Sequence, residues 1–185
     1  MNNNSSANPR TLIETGIKQL QAGQSGEAEK TFLDVLDLSP NDPGVLHLLG
    51  LSRHFSGNHS GAVQPITEAV SLVPTNESFL NSLGQVHQAL GNAGEALQCF
   101  SRAAGINPAA AGTHLNLGNA LKSLDRFDDA LSSYRAALDL QPDFAEAHFN
   151  LAVTLVKLGQ NEEALASFRQ SLALKPDFPQ ALCEM

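Results

Sequence analysis

Six histidines are the first residues in this chain with the means to bind a metal or move a proton. His114 and His148 lie 34 residues apart, His47 and His54 lie seven apart on one predicted helix, and His59 is in the loop after it. Protein zinc sites draw three or four ligands at short, regular spacing. Here no HExxH, no CxxC and no acidic partner at ligand spacing accompanies the histidines. They read as packed or solvated side chains, and no metal is expected. The carboxylate pairs Asp128–Asp129 and Glu162–Glu163 open predicted helices, where the helix dipole favours negative charge. Acid–base chemistry is not needed to account for them. Cys99 sits beside Phe100 on a predicted helix and reads as a packing residue. The glycines fall at helix crossings and ends, not in a loop that cradles phosphate. No catalytic constellation and no cofactor are expected, so the chain reads as a non-enzyme.

The elements that must position these side chains repeat. Pro40, Pro74, Pro108, Pro142 and Pro176 are each 34 residues apart. Ala28, Ala62, Ala96, Ala130 and Ala164 keep the same step, as do the large apolar residues Phe32, Ile66, Phe100, Tyr134 and Phe168. Gly16, Gly50, Gly84 and Gly118 continue to Ala152, and Leu49, Leu83, Leu117 and Leu151 follow suit. A fixed period of this size marks a stacked repeat protein.

Each period predicts two helices. In AGTHLNLGNALKSL, Leu117, Leu121 and Leu124 share one helical face. In DRFDDALSSYRAALDLQP, Phe127, Ala130, Leu131, Tyr134 and Leu138 share another. Gly23, Gly57, Gly91 and Gly159, with Asp125 in the fourth unit, stand where a first helix must end in a left-handed residue. The prolines end the second helices, and Asn8, Asp42 and Asn76 can cap the next first helix. The glycines and alanines let the paired helices approach closely, and the large residue after each alanine is expected to fill the space between units. Pro65 falls inside a second helix, a loss tolerable near that helix's start. A lone pair of such helices buries too little to stand alone, so each leans on its neighbours.

Composition narrows the partners. The 185 residues carry 11 basic and 19 acidic side chains, a net charge of −8. No basic stripe exists to displace counterions from phosphates, so nucleic acid is not expected. The first ten residues, MNNNSSANPR, lack the apolar stretch of a secretory signal. No apolar run reaches the ~18 residues that a membrane span needs. Cys99 and Cys183 are far apart, and two unpaired thiols suit a reducing, cytoplasmic setting.

The pattern of Leu-Gly in the first helix, Ala and an aromatic in the second, then Pro, closely resembles the tetratricopeptide repeat family. The resemblance covers five units, 9–42, 43–76, 77–110, 111–144 and 145–178, after a disordered tail at 1–8. It implies an all-α fold, a right-handed superhelix of antiparallel helix pairs whose first helices line a concave face. Thr15 and Val35 depart from the pattern in the first unit. Residues 179–185 read as the start of a sixth unit that reaches only its seventh residue. Seven residues make roughly 10 Å of helix, and no polar capping helix follows. The chain is therefore expected to be an N-terminal fragment of a longer protein, and its uncapped C-terminal helices offer a route to self-association.

On the face that the resemblance assigns to ligands, the 34-residue step places Asn81 and Gln85, with Ser82 and Gln88, in the third unit. It places Asn116, Asn119 and Lys122, with Leu115, in the fourth, and Phe149 and Asn150, with Glu146, Val153 and Lys157, in the fifth. Each amide carries a donor and an acceptor, so a row of them can pair with the backbone of an extended peptide. The same amides can equally bond to neighbouring helices and hold the curvature. The family's clamp for acidic chaperone tails is matched only at Asn116 from the third unit onward, and Glu146 reverses the charge it needs. Asn116 and Asn150, in LNLGNALK and FNLAVTLV, are also similar to the asparagine ladder of O-linked N-acetylglucosamine transferases, though Ser82, Leu48 and Glu14 break it upstream. The expected function is a protein- or peptide-binding scaffold. A substrate-presenting arm of such a glycosyltransferase and a self-associating array are the alternatives.

Overall fold

The computed structural model describes residues 8–177. The tail before Asn8 and the start of a sixth repeat lie outside the described residues. Within them the 34-residue period becomes ten helices and no strand. The first helices are α1 (Pro9–Gln21), α3 (Pro43–Phe55), α5 (Glu77–Ala89), α7 (Ala111–Ser123) and α9 (Ala145–Lys157). The second helices are α2 (Ser25–Leu38), α4 (His59–Leu72), α6 (Ala93–Ile106), α8 (Phe127–Leu140) and α10 (Asn161–Leu174).

Local chemistry sets both kinds of boundary. After each first helix the chain turns through a left-handed residue: Gly23, Gly57, Gly91 and Gly159 at φ 74, 85, 77 and 74°, and Asp125 at 57°. The turn closes with paired backbone bonds, as where Gly23 N donates to Leu20 O and Gln24 N to Gln19 O, so helix-end carbonyls are not left unpaired. Each second helix stops two residues before its proline. The residue between is extended, as at Ser39 (φ −144°) and Gln141 (φ −138°), because the proline ring excludes the helical region for its predecessor. Asn8 caps α1, Asp42 caps α3 and Asn76 caps α5 through their side-chain oxygens.

The contacts divide the chain between Leu90 and Gly91 into two compact units. In the first, α1 packs on α2, α3 on α4, and α2 and α4 each on the first helix that follows. Ala28, Phe32 and Val35 of α2 form one buried cluster with Val45 and Leu49 of α3. In the second, Leu121, Ala130, Leu131, Tyr134, Leu151, Leu155 and Ala164 do the same for α7 to α10. First helices of successive pairs also touch, α1 with α3, α3 with α5, and α7 with α9.

The large recurring residue does more than the sequence reading allows. It stands on the small residue of its own pair, 16 positions earlier. A Cβ added at Gly16 would lie 2.5 Å from Phe32 Cε1, and one at Gly118 would lie 2.5 Å from Tyr134 Cε1. At Gly50 it would run into Ile66. Ala152 sits in a cluster with Phe168.

Pro65 is not near the start of its helix. It is the seventh residue of α4 and is buried. A proline there leaves the carbonyl of residue 61 without its helical donor. Arg53 of α3 takes that place: its Nη1 donates to Gly61 O at 3.1 Å, and its Nε pairs with Glu29 Oε1 of α2 at 2.7 Å. Only 24% of the Arg53 side chain and 28% of that of Glu29 are exposed, so little water competes for the freed carbonyl.

Two stability measurements check these contacts. Arg53→Met is expected to cost about 1–3 kcal/mol in urea denaturation. In a Pro65→Ala background, where residue 65 regains its N–H, the cost is expected to fall by about 1 kcal/mol. Equal costs in both backgrounds would rule out the carbonyl contact as a source of stability. Asp125→Gly, which relieves a left-handed non-glycine residue, is expected to add about 0.5–1 kcal/mol by the same assay.

Candidate peptide-binding face

The residues expected to meet a ligand lie on first helices, and each of the two compact units carries its own set. In the second unit, α7 contributes Asn116, Asn119 and Lys122, and α9 contributes Phe149 and Asn150. The structure brings Lys122 and Asn150 together: Lys122 Nζ donates to Asn150 Oδ1 at 2.8 Å. The other end of that amide is anchored, because Asn150 Nδ2 donates to Glu146 O at 3.0 Å. The asparagine is thereby oriented with its acceptor toward the lysine. Burial lowers the Lys122 pKa, since desolvation disfavours the charged ammonium. Among the described residues Lys122 makes no ion pair.

Asn119 is committed to the core. Its Oδ1 accepts from Tyr134 Oη at 2.8 Å. Tyr134 occupies the position that phenylalanine fills in three other units, so its hydroxyl brings a polar atom into the helix crossing, and Asn119 satisfies it. Burial raises the phenol's pKa, partly offset by a hydrogen bond with Thr154. Asn116 is half-buried, and its amide has no hydrogen-bond partner among the described residues. Of the two ladder asparagines, one is therefore spent within the protein and one is not. Phe149 is half-buried, its ring 5.9 Å from that of Phe168.

In the first unit, Asn81 Nδ2 donates to Glu77 Oε1 along α5, and Gln85 is exposed. His47, expected from the sequence to be a packed or solvated side chain, joins two first helices here. His47 Nε2 meets Ser82 Oγ at 2.8 Å, and its ring lies 4.6 Å from that of Phe79. Burial pushes its pKa down to about 4. His47 precedes Asn81 by 34 residues, so the repeat register itself carried the signal. His114 and His148 are loop fasteners: each Nε2–H donates to the carbonyl of a repeat proline, Pro108 and Pro142, at 2.9 Å.

Family models of the tetratricopeptide repeat match residues 78–109 and 115–179, together more than half the chain. The chain belongs to the tetratricopeptide repeat family. It is an all-α tetratricopeptide repeat solenoid, and solved structures share its fold. One is MamA 41-end from Desulfovibrio magneticus RS-1, at 20% identity and a TM-score of 0.84, covering 92% of this chain and 96% of that one. A MamA of MSR-1 is 26% identical with a TM-score of 0.77, covering 91% and 97%. YrrB, described as a tetratricopeptide repeat protein with an unusual peptide-binding site, is 20% identical with a TM-score of 0.79, covering 97% and 93%. No curated protein matches the chain. Among the described residues no helix is long and apolar enough to cross a membrane.

His47 gives this tetratricopeptide repeat chain a pH dependence of known sign. Its folded pKa lies below the ordinary 6.5, so the unfolded chain takes up the proton first. Stability is full above pH 6.5 and declines as the pH falls toward 4, by up to on the order of 3 kcal/mol. His47→Gln is expected to remove this component, so urea midpoints of the two proteins should converge as the pH is lowered. Parallel curves across that window would contradict it.

Proposed function

We propose that the chain is a protein-interaction scaffold that holds an extended, acidic peptide along its first-helix face. Asn116, Lys122, Phe149 and Asn150, all in the second compact unit, form the anchor; Asn81 and Gln85 belong to the first unit's own face, as a separate candidate contact. One observation carries this reading: Lys122 is partly desolvated, faces an oriented amide and lacks an anionic partner. A carboxylate arriving there gains a charge-assisted hydrogen bond at little further desolvation cost to the lysine. The unspent Asn116 amide can take one donor and one acceptor from the peptide backbone, and Phe149 supplies an apolar surface beside them. A solved structure with the same fold carries a peptide-binding site, which supports the reading.

Peptides selected from a random extended library, then measured by fluorescence anisotropy, test it. Retained peptides are expected to be enriched in Asp and Glu. Lys122→Ala together with Asn116→Ala is expected to weaken them by about ten-fold or more, a loss of about 1.4 kcal/mol or more. Lys122→Glu is expected to abolish binding of acidic peptides and to admit their lysine-substituted counterparts. Unchanged affinity in the double variant would remove the assignment.

A further inference from the structure

The turn between α3 and α4 brings two imidazoles together that sequence spacing alone does not pair. His54 lies in the last turn of α3, and His59 is the first residue of α4. Between them Gly57 takes the left-handed conformation, φ 85°, and reverses the chain. The turn is fastened by Asn58 N donating to Arg53 O at 2.8 Å and Gly57 N to His54 O at 3.0 Å, with the Asn58 side chain capping α4 at Gly61 N. Both backbones are thus held by helix-end hydrogen bonds.

The result is an Nδ1 to Nδ1 separation of 3.1 Å between His54 and His59. Their ring centroids are only 4.7 Å apart, with planes at 50°. Two rings pointing nitrogen to nitrogen along one line would hold their centroids farther apart. The rings are therefore inclined, and without a metal one Nδ1–H donates to the other Nδ1; a metal can take the place of that hydrogen once the proton moves to the Nε2 of the same ring. At metal–nitrogen distances of about 2.05 Å, a separation of 3.1 Å subtends roughly 98° at the metal, between the square and the tetrahedral angle. Two neutral imidazoles suit copper, nickel and zinc, and the order of affinity favours the late first-row ions over magnesium or calcium. Arg53, the adjacent cation, is paired with Glu29, which moderates its repulsion of a metal.

We propose that His54 and His59 form a two-nitrogen chelate for a late first-row divalent ion, with water in the remaining positions. No third His, Cys, Asp or Glu joins them among the described residues. The site is therefore open and exchangeable, not a closed structural centre. Phe55, 63% exposed and edge-on to His54 at 5.6 Å, flanks one side of it.

The test uses the full chain and Ni2+ alone, which avoids the thiol preference of zinc. Isothermal titration is expected to show one ion bound per chain. His54→Asn or His59→Asn each lowers the affinity by about ten-fold or more, as loss of one of two ligands requires, whereas His148→Asn leaves it unchanged. Should either variant lose its helical circular dichroism, paramagnetic broadening in the intact chain decides the question. Ni2+ is expected to broaden the ring resonances of His54 and His59 before those of the other four histidines. Binding that is undiminished in a folded His54→Asn, His59→Asn double variant would overturn the proposal. So would broadening that begins at another histidine, or an absence of binding by the intact chain.

Discussion

Seating a large side chain on a residue without one is the contact on which this structure depends. Phe32 rests on Gly16, Ile66 on Gly50 and Tyr134 on Gly118. In each case a methyl group at the glycine would occupy space already held by the ring or branched chain. Close approach at that point brings the alanine of the second helix into full burial, at 0 to 1% exposure in all five copies. It also puts the first helix of the next pair within reach, as Val45 and Leu49 are of Phe32. Interiors packed at crystal-like density transmit such constraints over several residues, so one small residue per pair sets helix spacing for the neighbourhood.

A seam this tight makes each polar atom inside it a liability, and the chain answers with side chains that are not themselves part of the repeat. Pro65 strips a donor from α4, and Arg53 supplies one from α3. Tyr134 brings a hydroxyl where phenylalanine has none, and Asn119 accepts it. An unpaired buried polar group costs about 1–3 kcal/mol, a large fraction of the stability a domain has to spare. Binding chemistry on the first-helix face is what remains after these internal needs are met. That is why Asn116 and Lys122 matter more there than Asn119 does.

Much of this was legible in the residues. The prolines at 34-residue intervals marked helix ends, and Gly23 and Asp125 marked left-handed turns, because proline and positive φ are properties of single residues read locally. Other features needed two distant residues to be seen at once. Nothing in the spelling of Asn119 distinguishes it from Asn116, yet one serves the core and the other does not. His54 and His59 looked unrelated across a turn whose closure is a three-dimensional event. Pro65 looked tolerable only near a helix start, because its compensation lies twelve residues upstream on another helix.

The amino-acid order by itself determined the pairing of helices in the described residues, the prolines and left-handed residues at which they end, and the family. All of these follow from periodicity and from backbone preferences that act within a few residues. Tertiary structure alone decided which polar side chains are already bonded and which are available. Hydrogen-bond satisfaction depends on the distance between atoms that no sequence interval specifies.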